Sequence, residues 1–181
     1  CLNGGGVKRS DQLEGLLESI GRVGHNAVPR RTHGEIGRVR YVAPAASEDY
    51  IDHLAGTVSA SLSDLRILVD CANGAASATA ARLFDRFPGL SVDVINADPN
   101  GVNINQRCGS THMDALSAMV RAGGYVLGIA FDGDADRCLA VDEKGGLIDG
   151  DQIMAACGAD LLAQGRLAGS AVVATVMSNI G

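Results

Sequence analysis

The feature that most constrains the fold of this chain is an alternation of apolar strands and helical segments between residues 65 and 163. Three stretches rich in Ile, Leu and Val predict core strands: LRILVDC (65–71), LSVDVIN (90–96) and YVLGIAFD (125–132). A fourth strand, RCLAVDE, is predicted to turn back through the KGG stretch at residues 144–146. Alternating strands and helices predict an α/β fold, in which a layered mixed or parallel sheet carries helices on both faces.

The segments around these strands predict helices. SDQLEGLLESI (10–20) has leucines at helical spacing, and SEDYIDHLAGTVSASL predicts a helix capped by Ser47. THMDALSAMVRAGG predicts another, with Thr111 and Asp114 at capping-box spacing and glycines at its end. Between the first two helices, a stretch rich in Gly, Arg and Pro predicts a linker. Near the end of the chain, GDQIMAACGADLLAQG predicts a helix and SAVVATV a further strand.

Composition and charge narrow the class of protein. Apolar residues make up 46% and charged residues 20% of the chain, which is typical of a globular domain. The formal net charge of −6 argues against a nucleic-acid partner, and the arginines between residues 22 and 40 are interpreted as part of a solvated linker. No apolar run is long enough to span a bilayer and no signal peptide is recognisable, so no membrane partner is expected. Five scattered cysteines without a CxxC pair indicate a reducing, cytoplasmic location rather than disulfides or a zinc site.

The strongest chemical signal is AFDGDADRC, in which Asp132, Asp134 and Asp136 alternate with small residues directly after the third strand. We call residues 132–137 the carboxylate loop. Three carboxylates this close repel one another unless a cation lies among them, and hard oxygen ligands favour Mg²⁺, Mn²⁺ or Ca²⁺. Alternate side chains of an extended strand lie roughly 6–7 Å apart, so the loop must curl to bring three oxygens to one ion. The alternative is that these residues only form a turn, as acidic residues at strand ends often do.

The same spacing also matches positions 1, 3 and 5 of a calcium-binding EF-hand loop, with Glu143 at position 12. Position 6 of that loop is a sharply turning glycine, whereas Arg137 occupies it here. The flanking segments also predict strands, where an EF-hand needs helices. An EF-hand is therefore not predicted, but a stand-alone Ca²⁺ or Mg²⁺ binding module remains an alternative.

Arg137 adds a second clue, because a guanidinium beside a carboxylate cluster does not strengthen metal binding. Arginine takes phosphate oxygens in bidentate fashion, and a metal with an arginine beside it is suited to phosphoryl transfer. We therefore expect Arg137 to stabilise a phosphoryl group. The alternative is a structural salt bridge from Arg137 to one of the aspartates.

Several separated stretches resemble, in the same order, the second domain of the α-D-phosphohexomutase family. They are ILVDCANGAASATA, GVNINQRCGSTH and GIAFDGDADRCLAVDEKGGLIDGDQIM. IGRVR (36–40) is similar to the segment that leads into that domain, and ATVMSNIG to the start of the third domain. Within the family, the similarity is greatest to the bacterial enzymes that act on glucosamine phosphate, with the enzymes of glucose and mannose phosphate as the alternative.

The resemblance implies a parent enzyme of four domains that moves a phosphoryl group from a phosphoserine to a hexose phosphate. A bisphosphate forms and then returns its other phosphoryl group to the serine. For the glucosamine branch, the partner is a hexosamine phosphate: glucosamine 6-phosphate becomes glucosamine 1-phosphate, for UDP-N-acetylglucosamine and peptidoglycan synthesis. The resemblance assigns Asp132, Asp134 and Asp136 to Mg²⁺, and it places Arg137 beside the transferring phosphoryl group.

On the same resemblance the chain divides into three parts. Residues 1–40 correspond to the tail of the first domain and a linker, residues 41–146 to the metal-binding second domain, and residues 147–181 to the start of the third. We therefore expect one complete domain plus pieces of its neighbours, in a chain taken from a longer protein. The sequence does not assign an oligomeric state.

Loops that complete the family's active site have no match in this sequence. The serine loop, of the type Ala/Gly-Ser-His-Asn-Pro, is missing, because GHNAVP (24–29) shares only His-Asn with it. The sugar-recognition loop of the third domain and the phosphate-binding loop of the fourth are missing as well. We therefore expect this polypeptide to be inactive alone. DCANGAAS lacks the glycine pattern of a phosphate loop and predicts a tight turn instead.

Overall fold

The computed structural model of the chain describes Gly15, Glu18, Ser19 and residues 43–178. The chain forms two compact units, Cys1–Val42 and Ala43–Gly181. In the first unit the three described residues are helical, in agreement with the helix predicted over residues 10–20. The remainder of that helix, the arginine-rich linker and the GHNAVP stretch lie outside the described residues.

The second unit contains four α-helices and five β-strands within its described residues. The helices are α1 (Ala43–Ala55), α2 (Ala80–Phe84), α3 (Met113–Gly123) and α4 (Gly150–Ala163). The strands are β1 (Arg66–Asp70), β2 (Ser91–Ile95), β3 (Leu127–Phe131), β4 (Cys138–Asp142) and β5 (Leu147–Ile148). Short 3-10 helices cover Ala75–Ala78 and Ala168–Ser170. None of the described helices combines the length and the apolar character that crossing a membrane requires.

The strands form one mixed sheet in the order β2-β1-β3-β4-β5. The first three run parallel, and β4 and β5 are added antiparallel to them. Asp70 pairs with Ala130 in the register of β1 and β3, so these two strands end at the same edge of the sheet. In open α/β sheets the carboxyl edge of parallel strands is where ligands bind.

Apolar side chains cover one face of the sheet beneath the first 3-10 helix and α2. The buried residues of this cluster are Ile67, Val69, Cys71, Ala76 and Ala80. The odd-numbered residues of β1 point to this face because successive side chains of a strand alternate. The 3-10 helix brings Ala76, which is 6% exposed, onto the same cluster.

The opposite face of the sheet is covered by α3. The buried residues here are Leu68, Leu116, Val120, Ala130 and Val141. Gly128 lies under the helix, and a Cβ on it would come within 2.6 Å of Val120 Cγ2, so the close packing of helix on sheet requires glycine. Helices therefore lie on both faces of a mixed sheet, and the predicted fold class is confirmed.

Two predictions of how helices begin were wrong. Helix α1 starts at Ala43, so Ser47 lies inside the helix rather than at its N-cap. Pro44 suits this earlier start, because proline has no backbone N–H group and the first turn of a helix does not need that donor. Helix α3 starts after His112, which makes no side-chain capping hydrogen bond, and no capping box forms with Thr111.

The strand predicted for SAVVATV is also absent. Residues 171–175 have no regular secondary structure, and Val173 and Val176 are 94% and 98% exposed. An apolar, β-branched stretch becomes a strand only where a neighbouring strand accepts its backbone hydrogen bonds. Within residues 43–178 no strand pairs with this stretch.

Candidate metal centre

The carboxylate loop connects β3 to β4 at the carboxyl edge of the parallel strands. The main-chain N–H of Asp132 donates to the Arg137 carbonyl at 3.2 Å, and the N–H of Ala135 donates to the Asp132 carbonyl at 3.1 Å. Ala135 has a left-handed backbone with φ 60°. These bonds fold the loop back on itself, so that its three carboxylates can gather, and they hold Ala135 in a left-handed conformation that is unfavourable for residues other than glycine.

The loop brings the three predicted carboxylates together. One oxygen from each of Asp132, Asp134 and Asp136 can be chosen so that all of them lie within 4.8 Å of one another. Two oxygens on opposite sides of one Mg²⁺ are about 4.2 Å apart, so a small rotation of the exposed Asp134 and Asp136 side chains completes the approach. A set of carboxylate oxygens with one rigid and two movable members therefore fits a hard divalent cation.

Asp132 is the rigid member of this set, since it is 2% exposed. Its Oδ1 accepts the main-chain N–H of Arg137 at 3.1 Å, and its Oδ2 accepts the guanidinium Nε–H at 2.9 Å. Burial by itself raises the pKa of Asp132, but the hydrogen bonds and the charge of Arg137 outweigh it and hold that pKa below its usual range. The loop thus keeps a buried carboxylate ionised by supplying its own cation.

Arg137 remains open to solvent while it makes these contacts, because its side chain is 75% exposed. Its Nε also lies 3.6 Å from an Asp136 oxygen. The salt bridge considered as the alternative role of Arg137 is therefore present. A guanidinium has five N–H donors, so this pairing leaves donors available to a second anion.

Two further loops contact the carboxylate loop and were not predicted to belong to the site. The Ala75 N–H donates to the Gly133 carbonyl, and the Ser110 N–H donates to the Phe131 carbonyl, both at 2.9 Å. The second loop also packs closely on Gly133, since a Cβ there would lie 2.7 Å from Ile104 Cδ1 and that side chain would have to move. These contacts involve main-chain groups, which leave no characteristic residue pattern in the sequence.

The surroundings of the loop exclude an EF-hand. Strands β3 and β4 flank the carboxylate loop where an EF-hand has helices. Glu143, at the position of the last calcium ligand, lies in the turn between β4 and β5. The match to EF-hand spacing is therefore coincidental, as expected from the sequence.

A cavity of about 410 Å³ adjoins the carboxylate loop. Its walls are mostly apolar and include Tyr50, Leu54, Leu83, Phe84 and Phe131, with Asp134 among the residues that line it. A sugar phosphate needs several hydrogen-bonding groups, so this cavity does not have the lining of a sugar site.

The fold and the loop together define an α/β domain with an acidic candidate metal centre at the carboxyl edge of its parallel strands. The chain belongs to the phosphoglucomutase/phosphomannomutase family, because residues 48–146 match the model of that family's alpha/beta/alpha domain II. The resemblance found in the sequence is thereby confirmed.

Similar proteins that share one name are consistent with membership of this family. Two proteins called phosphoglucosamine mutase, from Symbiobacterium thermophilum and Clostridium acetobutylicum, are 49% and 51% identical to this chain. The matches cover 99% and 97% of this chain but 40% and 39% of the relatives. The chain therefore spans about two fifths of the length of these proteins.

Solved structures show the same fold. A phosphoglucomutase/phosphomannomutase family protein from Burkholderia thailandensis matches 87% of this chain and 33% of its own, with a TM-score of 0.64 and 26% identity. An N-acetylphosphoglucosamine mutase from Aspergillus fumigatus, in complex with GlcNAc-6P and magnesium, matches 66% of this chain and 27% of its own. Its TM-score is 0.54, also at 26% identity.

Proposed function

We propose that this chain supplies the Mg²⁺ centre of a phosphoglucosamine mutase. The observation that carries the proposal is the convergence of three carboxylates beside an exposed arginine at one edge of the sheet. Family membership and the names of the relatives support it. The magnesium in the Aspergillus fumigatus complex supports the choice of ion.

Each residue of the loop has a distinct task in this proposal. Asp132, Asp134 and Asp136 hold the ion, which when bound stabilises the negative charge of a transferring phosphoryl group. Arg137 keeps Asp132 ionised through its Nε and Nη2, each 2.9 Å from Asp132 Oδ2, and offers its remaining N–H groups to a phosphoryl oxygen. Stabilising moving charge is most of the catalysis in phosphoryl transfer, so these residues contribute to the rate rather than to substrate choice.

The proposed substrate is a hexosamine phosphate. In the parent enzyme a sugar hydroxyl takes a phosphoryl group from a phosphoserine. The resulting bisphosphate returns its other phosphoryl group to the serine, so that glucosamine 6-phosphate becomes glucosamine 1-phosphate. We place this reaction in the cytoplasm, as a step toward UDP-N-acetylglucosamine and peptidoglycan.

The proposal also assigns parts of the chain to domains. Residues 41–146 are the metal-binding domain, residues 1–40 the tail of the preceding domain with its linker, and residues 147–181 the start of the next. Because the sequence contains no serine loop of the family type, we expect no mutase activity from the 181-residue polypeptide alone. Conversion of glucosamine 6-phosphate by the purified chain would contradict this assignment.

Titration calorimetry with Mg²⁺ and with Ca²⁺ tests the metal centre on the intact chain. We expect weak Mg²⁺ binding that Asp134→Asn reduces about tenfold or more, because a charged ligand is lost. Asp85→Asn is the matched control, since it removes the same charge from an exposed position at the end of α2 and should leave the affinity unchanged. Equal Mg²⁺ affinity in the wild type and Asp134→Asn would refute the centre. Sub-micromolar Ca²⁺ binding would instead favour the stand-alone module.

A further inference from the structure

Asp70 is the second buried carboxylate of the described chain and lies outside the carboxylate loop. It is the last residue of β1 and is 2% exposed. In the sheet it lies opposite Ala130 of β3, which precedes Asp132 by two residues. Within residues 43–178 no Lys, Arg or His pairs with it. A charged group buried without a cation is unfavourable unless hydrogen bonds satisfy it, so its presence calls for a reason other than packing.

Both oxygens of Asp70 accept main-chain N–H groups from two different loops. Oδ1 accepts the N–H of Ala72 at 2.9 Å, and Oδ2 accepts the N–H of Gly109 at 2.9 Å. The loops are also bonded to each other, because the N–H of Asn105 donates to the Ala72 carbonyl at 2.9 Å. Asp70 thus joins its own segment of the chain to Gly109, which lies 39 residues further along the sequence.

The backbone of both loops is held in a conformation that needs such support. Ala72 and Asn73 have φ of 54° and 48°, and Asn105 and Arg107 have φ of 56° and 55°. Left-handed backbone is unfavourable for residues other than glycine and persists where surrounding contacts impose it. The two hydrogen bonds to Asp70 are contacts of this kind.

The same two loops hold the carboxylate loop from both sides. Ala75, in the segment that follows Asp70, donates to the Gly133 carbonyl, and Ser110, next to Gly109, donates to the Phe131 carbonyl. The carbonyls on either side of Asp132 are therefore held by segments that Asp70 connects. Gly74 approaches so closely that a Cβ on it would lie 2.2 Å from the Gly133 oxygen.

We propose that Asp70 is a positioning residue of the metal centre, which sets the backbone of the carboxylate loop through the loops of Ala72–Ala75 and Asn105–Ser110. This inference rests on the proposed metal-binding function. Asp70 does not touch the ion and acts only through main-chain groups. Replacing a residue that orients metal ligands without touching the ion typically lowers metal affinity about 10–100-fold.

Asp70→Asn tests this proposal, because an amide keeps the shape of the side chain but presents N–H to one of the two main-chain N–H groups. We expect Mn²⁺ binding to the intact chain, measured by electron paramagnetic resonance, to weaken about 10–100-fold. Asp142→Asn is the matched control: its Oδ1 also accepts two main-chain N–H groups, from Lys144 and Gly146, in the β4–β5 turn. Its Mn²⁺ affinity should equal that of the wild type, although both variants lose some thermal stability.

The outcomes separate this inference from the proposed function. Loss of Mn²⁺ binding in Asp134→Asn together with wild-type binding in Asp70→Asn overturns the role of Asp70 and leaves the metal centre intact. Unchanged binding in Asp134→Asn removes the metal centre, and the role of Asp70 with it.

A second measurement on the unmodified chain decides the question if Asp70→Asn does not fold. Coupling between sites is reciprocal. If metal binding depends on the hydrogen bonds of Asp70, the bound ion must in turn slow hydrogen exchange at the amides that donate to Asp70. We expect Mg²⁺ to increase protection of the Ala72 and Gly109 amides relative to the Gly146 amide. Equal protection with and without Mg²⁺ at Ala72 and Gly109 overturns the proposal.

Discussion

At the scale of single residues, two buried carboxylates of the described chain are stabilised in different ways. Asp132 lies against the guanidinium of Arg137, five residues ahead in the chain. Asp70 is stabilised by two main-chain N–H groups instead. The first arrangement leaves a charge pair open to solvent and to a ligand, whereas the second is closed and serves the backbone. In the proposed metal centre, the candidate ligand and its support therefore use the same functional group in different settings.

Cys71 provides a prediction at this scale, because it is fully buried next to Asp70. Burial and then the charge of Asp70 raise the pKa of the Cys71 thiol to about 11, from the ordinary value of 9.0. As pH rises, the unfolded chain loses the Cys71 proton before the folded chain does. The contribution of the protonated, buried thiol to the free energy of unfolding is therefore complete below pH 9 and is lost between pH 9 and 11. The loss is on the order of 2 kcal/mol.

Urea unfolding of the wild type and Cys71→Ala at several pH values from 8 to 11 measures this effect. The difference in unfolding free energy between the two proteins should decrease as pH rises. Cys157→Ala, which removes an exposed thiol, should show no such trend relative to the wild type. Parallel pH profiles for wild type and Cys71→Ala would contradict the prediction.

The residues of the candidate site differ in how well the sequence predicts them. Asp132, Asp134 and Asp136 lie within five consecutive residues, so their charges and spacing are visible without a structure. That they bind a metal and that Arg137 contacts a phosphoryl group stay predictions. Asp70 could not be assigned a role, because its partners are main-chain groups and one of them lies 39 residues away. Sequence patterns report side-chain chemistry, and only the fold shows which backbone groups meet.

At the scale of elements, the site depends on how closely the loops at the sheet edge approach one another. Gly74 and Gly133 meet backbone to backbone, and Ile104 lies against Gly133 from the other loop. Neither glycine has a left-handed backbone, and Gly74 is needed for space, because a Cβ on it would meet backbone atoms of Gly133. The contact is thus sensitive to a single added methyl group.

Gly74→Ala should therefore destabilise the chain, since its Cβ would lie 2.2 Å from the Gly133 oxygen and the backbone would have to move. Overpacking of this kind costs typically about 1–3 kcal/mol, which chemical denaturation can measure. Gly150→Ala is the control, because no atom lies within 4 Å of its added Cβ at the start of α4, and it should be neutral or slightly stabilising. Equal unfolding free energies for Gly74→Ala and the wild type would show that the loops are not in this contact.

Helices and strands were predicted well where their pairing and packing partners lie within the described chain. The predictions of strands β1 to β4 were correct because these apolar stretches find partner strands within residues 66–148. SAVVATV has equally strong strand character, but no described strand pairs with it. Helix starts were predicted less well, since Ser47 and Thr111 have capping side chains that the backbone does not use. Local pattern shows what a segment can form, and the available neighbours decide what it does form.

At the scale of the whole molecule, the described core is concentrated in the sheet and the helices on its two faces. Its buried apolar residues run from Ile51 to Val141, and α4 contributes none. The residues after α4 include exposed apolar side chains such as Val173 and Val176. The chain spans about two fifths of the length of its relatives, and these buried residues lie within the part that matches alpha/beta/alpha domain II.

The antiparallel pairing of β3 with β4 has a consequence for the order of folding. Phe131 pairs with Cys138 across the short carboxylate loop, whereas the pairing of Asp70 with Ala130 must close a segment about ten times longer. We expect the β3–β4 hairpin to form in the folding transition state and the contacts of Asp70 after it. Refolding kinetics should give a high φ-value for Val141→Ala in β4 and a value near zero for Asp70→Asn, and the reverse ranking would contradict this order. If the hairpin forms first, the three acidic side chains come together before the rest of the sheet is in place, and Arg137 of the same loop is then the cation that opposes their repulsion.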